Sequence, residues 1–481
     1  MRPSARPLLA PLRAAAVRSS TSSAGAVGTA SSSTPHAAPA RRALRTSARV
    51  SSYYPPPEPF TSAPVPEASS STSRSASPLY DADVDSPGAL LSTFGADAAL
   101  LSAHLARPPT SLTLRSLLAL GGSPGSTPSR AHILQSARFT AGELPLRLAR
   151  RVAAFRELPF IVGSNPHIQA VARLYAGSFQ AIASLPRIAD DADNERFTRA
   201  LEAMVQDHAE NIPTLARGFL ECKRYMSPAA ISAFLDGAIH SRIGIRLIAE
   251  QHLALSASHT AGPASKTSVG IIDTCLSAAQ LVQGCADFVG QLCESSLGCA
   301  PELILEGDTK STFVGVASHL TYTVTELLKN SYRATAEKHG RAGGDVPPVR
   351  ITIARSRKHL TMRIRDEGGG ISPQNFPKVF QYTFTTASFD EAAANAAVDG
   401  DDGPYALQQM GGMAGGGDVL AQMGQGPGVG GGMGTLAGLG YGLPMSRIYA
   451  QHGRGSLDIV SIWPHGCDSF LAIRANPLDE R

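Results

Sequence analysis

The chain has 481 residues, 43 Lys and Arg against 39 Asp and Glu, and a formal net charge of +4; that length exceeds one ordinary core and calls for two or three domains of about 100 to 200 residues each. Eight of the arginines, Arg2, Arg6, Arg13, Arg18, Arg41, Arg42, Arg45 and Arg49, fall in residues 1–57, which hold no Asp or Glu. The remainder is therefore mildly acidic, which argues against nucleic acid as a partner, and its apolar runs are too short and interrupted to span a membrane.

Taken in chain order, residues 1–57 set their arginines in an Ala- and Ser-rich background with interleaved Leu and Val. Such an acid-free leader reads as a mitochondrial transit peptide, the alternative being a disordered basic tail. Residues 58–85 are rich in Ser, Pro and Ala, too poor in core residues to offset the entropy of ordering, and read as a disordered linker.

Residues 86–262 are helical in pattern. ELPLRLARRVAAF, PHIQAVARLYAGSFQAI and ISAFLDGAIHSRIGIRLIAEQHLAL repeat apolar residues at three and four, and GSNP and ADDADNE mark connections, so a bundle of the four-helix type is expected. His240 and His252 lie within its last helix; a packed or partly exposed histidine is the expected role there, rather than a phosphoacceptor.

Residues 263–481 change to alternating strands and helices, as in an α/β or α+β domain. The segment ELLKNSYRAT, Glu326 to Thr335, has helical spacing that puts Glu326, Asn330 and Arg333 on one side and Leu327, Leu328 and Tyr332 on the other. By itself this reads first as a solvated helix face. VRITIAR and HLTMRIRD alternate as strands, and the apolar parity of the second continues onto Asp366. A carboxylate there faces the core, where a bare charge is costly unless it is given hydrogen bonds. Glu367 and Gly368-Gly369-Gly370 follow, which taken singly could be an ordinary strand-ending turn. Further on, GLGYGLPMS places glycines just before a helix amino terminus, with Pro444 in the first turn. That arrangement lets backbone amides approach an anion. Residues 387–437 hold fourteen glycines, six acidic residues and no Lys or Arg, and read as a flexible insertion. The six cysteines, Cys222, Cys275, Cys285, Cys293, Cys299 and Cys467, form no CxxC pair and no zinc-ligand spacing with His, and are expected to be reduced.

In this order ELLKN, DEGGG and GLGYGLP resemble the N, G1 and G2 boxes of the GHKL ATP-binding fold of histidine kinases, Hsp90, gyrase and MutL. With ELPLRLARRV, NPHI, SRIGIRLIAEQH and FTTA they resemble, over residues 86–475, the mitochondrial pyruvate dehydrogenase kinases and branched-chain α-keto acid dehydrogenase kinase. The resemblance implies an α+β chain: a helical bundle followed by a GHKL (Bergerat) α/β sandwich, with residues 387–437 as an insertion in its ATP lid. It implies a protein-serine kinase of the mitochondrial matrix, acting on the E1α subunit of an α-keto acid dehydrogenase complex. The lipoyl domain of the E2 core is an implied partner, a homodimer the implied assembly, and ATP and Mg²⁺, with K⁺ as a further candidate, the cofactors.

By the same resemblance Glu326 is the general base, Asn330 the Mg²⁺ ligand, Arg333 a support for phosphates or helix, and Asp366 the acceptor for the adenine amino group. Gly368, Gly370, Thr385, Thr386 and the run Gly438, Leu439, Gly440, Tyr441, Gly442 and Leu443 border the nucleotide. Two departures stand out. Tyr322 occupies the place one turn before the base where pyruvate dehydrogenase kinases usually carry a histidine, which is nearer the branched-chain kinase. Cys467 stands where the family normally has a threonine, and a thiol is a weak donor. A non-catalytic scaffold on the E2 core and a protein-histidine kinase are the alternatives. Residues 1–60 fused to a fluorescent protein are expected to co-localise with mitochondria; diffuse cytosolic fluorescence would speak for the basic-tail reading.

Overall fold

A computed structural model describes residues 94–340, 345–382, 384 and 440–475. The leader 1–57, the linker 58–85, the insertion 387–437, and Thr385, Thr386, Gly438 and Leu439 lie outside the described residues.

The first half is helical: α1 (Ala98–Leu105), α2 (Leu114–Leu118), α3 (Arg130–Arg156), α4 (Phe160–Gly163), α5 (Pro166–Ala183), α6 (Asp191–Asp207), α7 (Asn211–Cys222) and α8 (Pro228–Ala261). Their starts are written locally. Ser129 caps α3 and Ser227 caps α8, Asn165 accepts from His167 and Ile168 ahead of Pro166, and Asp190 forms a capping box with Asp193. α3 packs against α5 and α8, α6 closes on α5 and α8, and α7 closes on α5 with its Phe219 ring against Phe234 of α8. The shared core includes Leu144, Leu148, Val152, Phe155, Phe179, Phe197, Phe219 and Leu235.

Gly262, with φ of 90°, ends α8. There follow β1 (Ser268–Val269), β2 (Ile272–Ser277), α9 (Ala278–Leu297), β3 (Leu303–Gly307), β4 (Thr312–Val316), α10 (Ala317–His339), β5 (Val349–Arg355), β6 (His359–Arg365), α11 (Gly442–His452), β7 (Ser456–Ile462) and β8 (Gly466–Arg474). A small antiparallel sheet runs β1-β2-β4, and a larger one runs β3-β5-β6-β8-β7. Within the larger sheet β3 and β5 are parallel and the other pairs antiparallel. Helices α9 and α10 cover one face of it: Leu281, Val289, Val324, Leu327, Leu328 and Tyr332 meet Val349, Ile351, Ile353, Leu360, Met362 and Ile364. The expected alternation of both strands is thus what builds this core.

The two halves meet along α8, α10 and α11. Tyr322, Tyr382, Tyr441, Met445 and Ile448 join the apolar core of the bundle, and the Tyr382 hydroxyl donates to Asp236 of α8 at 2.5 Å. Gln251 of α8 is fully enclosed; it donates to the carbonyls of Leu117 and Val269 and accepts from Ile271 N–H. It thereby fixes the small sheet on the bundle. His252 packs between Thr198 and Ser136, as expected of a core histidine. His240 lies at the seam, its ring 5.0 Å from that of His452. Among the described residues no helix is long and apolar enough to cross a membrane.

Burial holds several histidines neutral. It lowers His252 to about 4; burial aided by Arg246 lowers His319 to about 4, and burial aided by His319, His240 and Arg147 lowers His452 to about 3. The unfolded chain protonates near 6.5, above all three folded values, so it binds more protons than the native state below that pH. The resulting stabilisation is complete above about pH 6.5 and is lost as pH falls toward 4. Melting temperature is expected to drop between pH 7 and 4.5, and His452→Phe to shallow the drop; an unchanged slope in that variant would place the acid sensitivity elsewhere.

Candidate active site

One cleft of about 240 Å³ lies between α10, the end of β6, the head of α11 and β8. Its lining includes Glu326, Asn330, Arg333, Asp366, Gly370, Gly440, Gly442 and Leu443. Four elements far apart in sequence thus bring the expected residues together. Helix α10 does this by its two faces, Leu327, Leu328 and Tyr332 being buried against the sheet while Glu326, Asn330 and Arg333 turn to the cleft.

Asp366 follows the last residue of β6 and is only 6% exposed. Its Oδ1 accepts from the N–H groups of Gly368 at 3.0 Å and Cys467 at 3.1 Å, and its Oδ2 accepts from the Ser331 hydroxyl at 3.2 Å. Burial raises its pKa above the usual carboxylate range, and these three donors pull in the opposite direction. A carboxyl so held on one side of a cleft can accept a hydrogen bond from a ligand amino group.

At the other end of the cleft, α11 begins at Gly442 and its N-cap, Tyr441, supplies no side-chain hydrogen bond. The helix therefore starts two residues before Pro444, with first-turn amides open to an anion. Gly440 has φ of 77°, and a Cβ there would lie 2.5 Å from the Phe384 carbonyl oxygen; glycine is required by both backbone and contact. Gly370, with φ of 71°, lies equally close to β7 and β8.

Lys329, which the pattern of the sequence did not single out for the site, lies in the cleft, its ammonium 3.1 Å from Glu326 Oε1, with side chains 6% and 15% exposed. Arg333 donates to Glu337 at 2.8 Å. The Cys467 thiol lines the cleft, pushed up to about 11 by burial and by Asp366, so it stands there as a neutral group. Two expected residues sit differently. Gly368 lets the turn pack on α10, since a Cβ there would lie 2.5 Å from that of Ala334, and Tyr441 turns into the bundle seam, its ring 5.1 Å from Tyr382. Tyr322, one turn before Glu326, packs on Tyr449, and its hydroxyl reaches Met445 Sδ.

These residues fit a nucleoside triphosphate, with a buried acceptor at one end of the cleft and an open helix amino terminus at the other. No cluster of three His, Cys, Asp or Glu side chains suited to a metal occurs among the described residues. Asn330 would supply a single oxygen, as suits a Mg²⁺ otherwise ligated by phosphates and water.

A family model described as mitochondrial branched-chain alpha-ketoacid dehydrogenase kinase matches residues 111–273, and one described as histidine kinase-, DNA gyrase B-, and HSP90-like ATPase matches residues 315–403. The mitochondrial [pyruvate dehydrogenase (acetyl-transferring)] kinase of Arabidopsis thaliana is 33% identical over 350 residues, covering 72% of this chain and 86% of the plant protein. The Schizosaccharomyces pombe kinase of the same name is 27% identical over 76% of this chain and 93% of its own length. Isozyme 1 of Homo sapiens is 29% identical over 71% of this chain and 73% of its own length.

Asp366→Ala strands the donors of Gly368, Cys467 and Ser331, and is expected to cost about 1–3 kcal/mol of stability and to weaken ATP binding with or without Mg²⁺; calorimetry showing unchanged affinity in both conditions would remove Asp366 from the adenine site. One cleft assembled from all three motif segments, and a third of the residues identical across most of the plant enzyme, give a single conclusion: this chain belongs to the family of mitochondrial pyruvate dehydrogenase and branched-chain α-ketoacid dehydrogenase kinases, built on the GHKL ATPase fold.

Proposed function

We propose that the protein is an ATP-dependent serine kinase of the mitochondrial matrix that phosphorylates the E1α subunit of an α-keto acid dehydrogenase complex. The observation that carries this reading is the convergence of Glu326, Asn330 and Asp366 on one cleft beside the open head of α11. The names of the relatives point to the pyruvate dehydrogenase complex as substrate; the branched-chain complex, suggested by Tyr322, is the competing one.

In this reading Asp366 accepts from the adenine amino group and the first amides of α11 receive phosphate oxygens. Asn330 would hold Mg²⁺, which when bound neutralises phosphate charge. Glu326 takes the proton of the serine hydroxyl as that oxygen bonds to the γ-phosphorus and the bond to the departing ADP oxygen breaks. The work of the protein is positioning and charge stabilisation, as in other phosphoryl transfers. K⁺ is a further ion of the reading, tested by replacing KCl with NaCl.

The bundle docks on the lipoyl domain of the E2 core, and the chain works as a homodimer. What supports the dimer is the outer edge of the larger sheet: among the described residues β7 pairs with β8 alone, and Val460 and Ile462 in it and Trp463 just beyond it are exposed. An apolar free edge is a pairing surface unless it is covered.

Glu326→Gln keeps shape and removes the proton acceptor. Single-turnover phosphorylation of E1α is expected to fall by about 100-fold or more with ATP affinity little changed, whereas Asn330→Ala weakens only Mg²⁺-dependent binding. Assays against both purified complexes decide the substrate. A wild-type chain that binds ATP and phosphorylates neither complex would replace the kinase reading with the scaffold.

A further inference from the structure

The glycines flanking α11 answer to different constraints. Gly440 needs its positive φ, but Gly442 does not: it is the first residue of a regular helix and carries no positive φ. Its own backbone would accept alanine. The three heavy atoms nearest to a Cβ built at Gly442 all belong to Glu326: Oε2 at 2.2 Å, Cδ at 3.2 Å and Cβ at 3.7 Å. The first of these lies far inside van der Waals contact. The neighbour that forbids a side chain is therefore the far end of a flexible carboxylate, and not backbone.

The same carboxylate is held from its other side, Oε1 being 3.1 Å from Lys329 Nζ. Oε1 thus rests on a cation from its own helix, and Oε2 fills the space that a side chain on α11 would take. Both residues line the cleft.

We infer that Gly442 and Lys329 are positioning residues for phosphoryl transfer: the bare α-carbon at the head of α11 leaves room for Glu326 Oε2, and the Lys329 ammonium holds Oε1, so that together they fix where the carboxylate points. This rests on the reading of Glu326 as the base. It assigns Gly442 a task other than nearness to phosphate, because the atom it clears belongs to the protein. It also ties the base to the exit of the Gly-rich segment, since Gly442 follows Gly440, which itself packs on Phe384.

The test is a cycle on the full chain: wild type, Gly442→Ala, Glu326→Gln and the double variant. Each is measured for melting temperature, ATP affinity by calorimetry, and single-turnover phosphorylation of E1α at saturating ATP. The added methyl displaces only a side-chain end, so Gly442→Ala is expected to melt like wild type and to bind ATP within about threefold. Its transfer rate is expected to fall tenfold or more, with no further loss in the Glu326→Gln background, as residues acting through one group are non-additive. Lys329→Met is expected to lower transfer similarly, and Lys329→Arg to restore part of it.

A loss at Gly442→Ala that follows weaker ATP binding and vanishes at saturation would assign the glycine to the phosphates and overturn the inference. So would losses that multiply in the double variant, or a Gly442→Ala chain that does not fold, since that would require a backbone collision. Glu326→Gln transferring at the wild-type rate would overturn the base reading and this inference with it; failure at residue 442 alone leaves the base reading standing.

Discussion

A carboxylate taken out of water at the end of β6 is the constraint on which the rest of this site depends. Burying an ionised group without donors costs several kcal/mol, and Asp366 meets that cost with two backbone N–H groups and one hydroxyl. The donors come from its own turn, from β8 and from α10. Satisfying one side chain therefore fixes the strand, its neighbour and the helix that carries Glu326 and Asn330. Burial, helped by the neighbouring Asp468, raises the Asp366 pKa against the pull of the three bonds, so one more donor would be favourable. An exocyclic amino group is such a donor.

Helix α10 converts that anchoring into chemistry. Its apolar stripe is clamped by the sheet, so its polar stripe has one orientation, and that orientation is the floor of the cleft. The opposite wall is the head of α11, whose later turns, through Met445, Ile448 and Tyr449, pack into the bundle. One short helix thus bounds the cleft at its start and the bundle seam along its length. Burial lowers the pKa of the seam histidines His240, His319 and His452, with Arg246 adding to it at His319 and the neighbouring histidines and Arg147 at His452. Acid, which would charge these rings, is therefore expected to weaken the contact between the two halves.

Much of this was legible from residue order. The alternation of β5 and β6 gave the buried parity of Asp366, because a period of two assigns faces without any knowledge of partners. GSNP and ADDADNE marked connections, and within them Asn165 and Asp190 turn out to cap the helices that follow. Other features were not legible, since they depend on what a residue meets across the fold. Gly368 was expected beside the nucleotide but clears Ala334 of α10, and Tyr441 lies in the glycine run yet points into the bundle. Lys329 looked like one more charge on a helix until its ammonium was found against Glu326 inside the cleft.

The sequence by itself determined the periodicities, the connections and the order of three motifs, all of them readable from the chain alone. It also determined the family, because residue identity over most of the length survives without coordinates. Only the tertiary structure decided which atoms close on which: that the Cys467 N–H, 101 residues away, completes Asp366, and that the α-carbon of Gly442 borders the carboxylate of Glu326. Such contacts follow from how helices and strands pack, and packing distances of a few ångströms between remote segments are not encoded in any local pattern.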